Sequence, residues 1–332
     1  MSNHKGVMIC GELAESALAS ITSELLGAGR KLADALGEEL SAVIIGGKVS
    51  QFGDEIIKQG ADKVYVIEGA LFENYVNEPY VAAMEKLCKQ AMPAVVLMGQ
   101  TSAGRDLAPS LAFRLNTGLT TDCLELSIDP ETKNMLQTKP VYGGNALSVY
   151  ATESRPQIAT VRPKCMSPLE PDASRKGEVV SFDPGLDPSV PRVKFVQKVK
   201  EEVEGIKLED AEVVVCGGRG LGGPENFAAL QELAKLLNGA VGATRPPCDS
   251  GWLPATSQVG LTGKLVTPTL YIGIALSGAS QHLAGCSGSK NMVAINKDPD
   301  ANIFKVCQYG IVGDFKKVLP PFIAKVKELV AK

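Results

Sequence analysis

Three polar turns rich in glycine and hydroxyl groups lie between Thr244 and Asn296, and one of them holds a histidine. The first is Ala243-Thr244-Arg245, and the second is Gln258-Val259-Gly260-Leu261-Thr262-Gly263-Lys264. The third, Ser277-Gly278-Ala279-Ser280-Gln281-His282-Leu283-Ala284-Gly285, follows the strand-like run Leu270 to Leu276. Gly, Ser and Thr at strand ends let backbone N–H groups approach a ligand closely. With one arginine and one histidine among them, the set suits an anionic, hydrogen-bond-rich ligand. No Ser–His–Asp or paired-carboxylate arrangement can be defended, because His282 is the only histidine besides His4 and already belongs to this cluster.

A fourth loop, Gly218-Arg219-Gly220-Leu221-Gly222-Gly223, matches G-x-G-x-x-G after the strand-like Glu212–Cys216. The helical stretch after it carries Phe227, Leu230, Leu233 and Leu237 on one face. In that context a pyrophosphate can rest on the helix N-terminus. Against a nicotinamide site, the next strand-like segment, Ala240–Thr244, ends in Thr244-Arg245 rather than an acid that would bind a ribose hydroxyl. Arg219 could instead reach a pyrophosphate with a forked donor. The competing structural reading is a tight strand-to-helix turn without a ligand. Gly99-Gln100-Thr101-Ser102-Ala103-Gly104-Arg105-Asp106 also follows a strand-like run, but it lacks a P-loop lysine and reads as structural or subunit-facing.

The elements that must position these loops alternate between strand and helix signals. Gly6–Cys10 and Leu40–Ile45 are continuous apolar runs, and between them Leu18, Ile21, Leu25, Ala28, Leu32 and Ala35 recur at helical spacing. Further strands are expected at Lys63–Ile67 and Ala94–Met98, and helices at Gly53–Gln59 and Glu78–Gln90. Such alternation implies a mostly parallel sheet with helices on both faces. Ala146–Thr152 and Gln157–Val161 read as later strands and candidates for antiparallel pairing. From Arg162 to Arg192 six prolines interrupt the pattern, which reads as an extended arm. Lys194–Lys207, rich in Lys, Glu and Val, is open between a strand and a solvated segment. A second α/β unit begins near Asp210, has further strands at Leu270–Leu276 and Met292–Asn296, and closes with a helix at Pro321–Lys332. The expected organisation is an N-terminal α/β domain over 1–162, an arm over 163–209 and a second α/β domain over 210–332.

A chain of 332 residues, 45% hydrophobic and 21% charged, suits two globular domains with ample cores. The net charge of −3, without any Lys/Arg-rich run, argues against nucleic-acid binding and a polybasic membrane role. No apolar stretch approaches the roughly 18 residues of a membrane span. The opening Met1–Lys5 runs straight into a strand-like segment and resembles no targeting sequence, so a prokaryotic cytoplasm is the expected compartment. Eight scattered cysteines without C-x-x-C, together with two histidines, argue against a zinc or iron–sulfur site.

From Val213 through Val318, with weaker likeness over Gly99–Asp122, the chain resembles the alpha subunit of an electron-transfer flavoprotein. Five ordered motifs carry the resemblance: Gly217-Gly218-Arg219-Gly220-Leu221, Val259 to Lys264, Ser277 to Gly285, Ala294-Ile295-Asn296-Lys297-Asp298-Pro299 and Tyr309-Gly310-Ile311-Val312-Gly313-Asp314. The resemblance implies two Rossmann-like parallel-sheet units, the C-terminal one binding FAD. It also implies a heterodimer with a beta subunit, formed through the N-terminal domain. A flavin-dependent dehydrogenase would supply electrons to the complex. Contacts to FAD carry over to Arg219, Thr244, Arg245, Val259, Gly260, Leu261, Thr262, Ser277, Gly278, Ala279, Ser280, Gln281, His282, Asn296 and Asp314.

Leu261 stands where many members have glutamine, and Thr244 where serine is common. Pro246-Pro247, Trp252 and Leu261 resemble members that bifurcate electrons with two FADs, which would bring NADH and ferredoxin or flavodoxin to the complex. By resemblance, His282 would meet the negative charge at the N1/C2=O edge of a reduced flavin, helped by N–H groups of the helix it opens. Thr262 would bond flavin N5, and Arg245 would lie against the ring. Ser277, Gln281 and Asn296 would bond ribityl and phosphate oxygens, and Asp314 an adenosine ribose hydroxyl. The second domain would swivel on the arm to meet each partner. Two rivals remain: a self-contained NAD-dependent oxidoreductase using Gly218–Gly223, and a flavin-free interaction subunit.

Overall fold

The computed structural model describes residues 3–14, 17–144, 146–197 and 206–330. The chain divides into two compact units, one of Met1–Pro140 and Leu147–Lys198, the other of Val141–Ala146 and Val199–Lys332.

The first unit is built on β1 (Val7–Gly11), β2 (Leu40–Gly46), β3 (Lys63–Glu68), β4 (Val95–Gly99), β5 (Leu119–Cys123), β6 (Gln157–Val161) and β7 (Glu178–Ser181). They form one sheet in the order β7-β3-β2-β1-β4-β6-β5, and every pairing is parallel. Central β1 shows why its sequence is uniformly apolar. Val7 and Ile9 face the core under α1 (Ser20–Leu36) and α2 (Gly53–Lys58), while Met8 and Cys10 face the core under α3 (Asn77–Ala91) and α4 (Ser102–Arg114). A parallel sheet covered on both sides has no polar face to alternate with. Helix α1 ends on Gly37 at φ +69, with Gly37 N–H on Asp34 O and Glu38 N–H on Ala33 O. That is the paired closure which a left-handed glycine permits.

The structure corrects the expected antiparallel pairing of Gln157–Val161. This strand is β6, parallel to both neighbours, with all five residues buried. Its full burial calls for the both-faces-covered environment of a parallel strand rather than a half-solvated edge. Ala146–Tyr150, by contrast, is largely exposed and lies at the edge of a separate three-stranded sheet beside Met135–Val141. Within the proline-bearing stretch, Glu178–Ser181 is not an arm: it returns to the sheet as β7 and pairs with β3. Most of the Lys194–Lys207 run lies outside the described residues.

The second unit is a smaller five-stranded sheet of β8 (Val213–Gly217), β9 (Ala240–Ala243), β10 (Leu270–Ile274), β11 (Asn291–Asn296) and β12 (Tyr309–Val312). The order is β9-β8-β10-β11-β12, again all parallel. Helix α5 (Phe227–Leu236) buries Phe227, Leu230, Leu233 and Ala234, with α8 (Phe315–Val330) contributing Leu319 and Ile323 to the same core. Helix α8 begins six residues before the Pro321 expected from sequence. Asp314 initiates it, its Oδ1 accepting the Lys316 N–H at 3.0 Å. Between β9 and β10 no long crossover helix forms. Short α6 (Arg245–Asp249) and an extended loop occupy that connection, and four-residue α7 (Ser280–Leu283) follows β10.

Candidate functional site

The order in which strands are added reverses at β8, since β9 lies on one side of it and β10 on the other. At such a switch point the loops leaving the carboxyl ends of neighbouring strands part and leave a crevice. Here the crevice has a volume of about 640 Å³ and is lined by loops following β8, β9, β10 and β11. Of the residues singled out from sequence, all but Ser280 and Asp314 line it. Ser280 is exposed, its hydroxyl 3.3 Å from Gln281 Oε1. Asp314 lines an adjoining depression of about 280 Å³ that shares Gly220, Ala275 and Asn296 with the main crevice.

The turn that carries Leu261 and Thr262 is held from three sides. Val259 N–H donates to Ala243 O at the end of β9 (2.9 Å), and Leu261 N–H donates to Gln281 O in α7 (2.8 Å). Within the turn, Gly260 N–H meets Lys264 O at 3.1 Å and Gly263 N–H meets Gly260 O at 3.0 Å. Gly260 sits at φ +150 directly against Gly285, where an added Cβ would fall 2.8 Å from the Gly260 carbonyl carbon. Two glycines in register are what let this turn lie on the segment after α7. Thr262 Oγ1 accepts from Gln258 Nε2 at 3.0 Å, so its own O–H proton remains to be donated. Leu261 is half exposed at the crevice wall.

At the floor, Gly278 takes φ +75 and lets the chain leave β10 against Ile303. The backbone N–H groups of Gly278, Ala279, Ser280 and Gln281 have no backbone acceptor among the described residues. Backbone donors left free in succession at a strand end can bind an anion. The charged side chains lining the main crevice are Arg219, Arg245 and Asp298, and those of the adjoining depression are Lys297, Asp314 and Lys316. Cations outnumber acids in both parts taken together, which suits a ligand bearing phosphates. Arg245 is exposed and pairs with Asp249 at 3.1 Å, and Arg219 is exposed on the turn after β8.

Several expected roles change once the partners are seen. The His282 ring is buried, with Nε2 2.7 Å from Tyr271 Oη and Nδ1 3.0 Å from Val259 O. Both nitrogens are therefore used inside the protein, and burial holds the ring's pKa below the ordinary histidine value. Asn296 also faces inward: its Nδ2 donates to Leu276 O at 2.7 Å and its Oδ1 accepts from Asp298 N–H at 3.1 Å. It braces the loop after β10 and still has one amide N–H and one oxygen lone pair at the crevice wall. Thr244 is nearly buried, its N–H tied to Gly217 O at 3.0 Å. Asp314 Oδ1 is committed to capping α8, which leaves Oδ2 to face a ligand.

The G-x-G-x-x-G loop does not act as a dinucleotide fingerprint. Gly218 N–H donates to Ile274 O (2.9 Å) and Gly220 N–H to Ala275 O (3.1 Å), so these amides are spent on the end of β10. Arg219–Leu221 and Pro224–Asn226 are separate 3-10 turns, and α5 starts only at Phe227. Gly223 caps the turn Pro224–Asn226, which runs directly into α5. An added Cβ on Gly220 would lie 2.7 Å from Ala275 O, which gives the glycine a packing reason.

Sequence reasoning did not single out Gly220, Pro246, Gln258, Ala275, Leu276 and Asp298 as contacts, although all line the crevice. Each lies inside or beside a motif or strand-like run that was found, so the signal was nearness to a strand end. Tyr271 was missed altogether, because an aromatic inside an apolar strand carries no sign of a polar partner.

Residues 7–186 match the electron transfer flavoprotein domain, and residues 207–287 match the electron transfer flavoprotein FAD-binding domain. The electron transfer flavoprotein subunit alpha of Thermoanaerobacterium thermosaccharolyticum is 46% identical, covering 99% of this chain and 100% of that one. Protein FixB of Clostridium saccharobutylicum is 40% identical over 100% of this chain and 99% of its own length. The LctC subunit of the lactate dehydrogenase (NAD(+),ferredoxin) of Acetobacterium woodii is 35% identical over 98% of this chain and 78% of its own. The second unit is thus a FAD-binding domain, and its donor-rich, cationic crevice with an adjoining depression fits an elongated dinucleotide. The chain belongs to the alpha-subunit family of electron transfer flavoproteins.

Proposed function

We propose that the chain is the FAD-binding alpha subunit of a heterodimeric electron transfer flavoprotein, taking electrons from a flavin-dependent dehydrogenase and passing them to a second redox partner. The observation that carries this reading is the crevice at the β8/β10 switch point, where unpaired amides, two arginines and a fixed hydroxyl converge. FAD bound there supplies reversible one- and two-electron chemistry that no side chain of the protein can provide. The protein's part is to bind, orient and tune. The Gly278–Gln281 amides and Arg219 would hold phosphate and ribityl oxygens, and Asp314 Oδ2 the adenosine ribose. Thr262 would present its free O–H to the ring, with Arg245 adding positive charge nearby. The Val259–Leu261 turn would cover one edge of the ring and exclude water from it.

The beta subunit is the obligatory partner in this reading, with the first unit as the surface that meets it. Among the described residues no helix is long and apolar enough to cross a membrane. We propose the cytoplasm as the compartment from the likeness to electron transfer flavoprotein alpha subunits. Electron bifurcation, with NADH as donor and ferredoxin or flavodoxin as acceptor, is a second reading. It is favoured by the likeness to a subunit of a lactate dehydrogenase named for NAD(+) and ferredoxin, and by Leu261 and Pro246 at the crevice wall. Flavin counted per heterodimer, after co-expression with its beta partner, tests both. One FAD supports a simple carrier, two support bifurcation and make NADH oxidation the next assay. A colourless, folded heterodimer refutes the carrier reading.

A further inference from the structure

Thr262 reaches the crevice from a turn whose closure does not depend on any side chain. Lys264 N–H donates to Gln258 O at 2.7 Å, Gly260 N–H to Lys264 O at 3.1 Å and Gly263 N–H to Gly260 O at 3.0 Å. Gln258 is fixed at the base of this turn. Its N–H donates to Ala255 O at 3.1 Å, and it bridges Ala243 at the end of β9. Its stem lies against Gly263, where an added Cβ would fall 2.9 Å from Gln258 Cγ. From there the side chain crosses the turn, and Nε2 donates to Thr262 Oγ1 at 3.0 Å. That bond closes nothing which the backbone has not already closed. What it fixes is the direction of a proton.

A hydroxyl carries one proton and two lone pairs, whereas an amide nitrogen only donates. With a lone pair turned to Gln258 Nε2, the Thr262 proton points away from Gln258. No protein acceptor for that proton stands among the described residues, and both side chains line the crevice. The charged and titratable groups lining the same crevice are His282, Arg219, Arg245 and Asp298, and Lys264 at the base of the turn pairs with Glu209. We infer that Gln258 is a positioning residue for the flavin: its amide makes Thr262 a hydrogen-bond donor toward the crevice rather than an acceptor. The inference rests on the reading that FAD occupies this crevice and meets Thr262. Without the amide, the hydroxyl is free to rotate among roughly three staggered positions, of which one presents the proton to the ring. Its bond to the ring is then weakened about threefold.

The test is a double-substitution cycle in the intact heterodimer, read as the ratio of reduced to oxidised flavin against a reference dye at neutral pH. Thr262→Val removes the whole bond and should shift the ratio about tenfold. Gln258→Leu should shift it about threefold in the same direction, and should add nothing in the Thr262→Val background. Gln258→Glu puts an ionised acceptor where the donor stood, so the hydroxyl turns inward. The same substitution in Thr262→Val carries the added charge alone. After that correction Gln258→Glu should match the tenfold shift of Thr262→Val. A Gln258→Leu shift that persists undiminished without the Thr262 hydroxyl overturns the inference, because a merely structural role would act in both backgrounds. A Gln258→Glu shift no larger than its charge effect overturns it as well, since the hydroxyl would already have donated to the side chain. If Thr262→Val itself keeps the wild-type ratio, the reading that flavin meets Thr262 fails instead, whereas a shifted Thr262→Val beside an unshifted, folded Gln258→Leu refutes the role of Gln258 alone.

Discussion

Gly278→Ala is the substitution on which the architecture of the crevice makes its sharpest demand. Gly278 has φ +75, a conformation that costs an alanine about 1 kcal/mol. The new Cβ would also fall 2.7 Å from Ile303 Cα and 3.0 Å from Asn302 C, backbone atoms that cannot swing aside as a side-chain tip can. Relief requires the Ala301–Ile303 segment to retreat, which breaks the 3.1 Å bond from Ile303 N–H to Ser277 O, worth about 1 kcal/mol. The amide nest begins at the substituted residue, so this strain of about 2–3 kcal/mol falls on the FAD-competent loop. At 1.4 kcal/mol per factor of ten, FAD should bind roughly 30- to 150-fold more weakly. Equilibrium flavin retention by the heterodimer measures this, with Gly251→Ala as control. Gly251 has φ +71, nothing within 4 Å of an added Cβ, and no place in the crevice. It should lose about 1 kcal/mol of stability and keep its flavin. Wild-type retention in Gly278→Ala would falsify the placement of the nest.

Three further outcomes are expected. Thr262→Val removes a hydroxyl whose proton is left to donate, and should lower the two-electron potential by about 30 mV, equivalent to a bond of about 1.4 kcal/mol, in a reductive titration. An unchanged potential would detach Thr262 from the flavin. Arg162→Met strands Asp122, which now receives both Arg162 Nε (2.8 Å) and Nη2 (2.6 Å), and should cost about 3 kcal/mol in denaturant unfolding without altering the flavin spectrum. Because burial depresses the His282 pKa, its contribution to stability is full above the unfolded value of about 6.5 and is lost as pH falls from there through the folded value. Melting temperatures between pH 8 and pH 5 should therefore fall more steeply for the wild type than for His282→Gln, and parallel curves would contradict the depressed pKa.

Much of the second unit was legible before any coordinates. Its strands are short apolar runs closed by Gly, Thr or Asn, and a run buried on both faces can only be a central parallel strand. Once these strands align in parallel, all their carboxyl ends lie on one edge. The polar turns after Ala243, Ile274 and Asn296 are thereby brought together at that edge, although dozens of residues separate them in the chain. The linear order of hydrophobic runs and turn residues is a local property, and it sufficed to gather the crevice. The β6 strand shows the limit, since nothing within Gln157–Val161 states which neighbours it will slide between.

What the sequence by itself determined was the chemistry on offer: glycines that free backbone amides, hydroxyls, two arginines, and a histidine after a buried strand. Which donor meets which acceptor was decided only by the tertiary structure. The glycine loop matched a nucleotide fingerprint, yet its amides are taken by Ile274 and Ala275. His282 read as a charge for the ligand, yet Tyr271 and Val259 claim both of its nitrogens. Asn296 read as a ligand contact, and from the crevice wall it also braces Leu276. The physical reason is common to all three. A polar group's partner is set by distances of a few ångströms between segments far apart in the chain, and a buried group accepts whichever partner satisfies it.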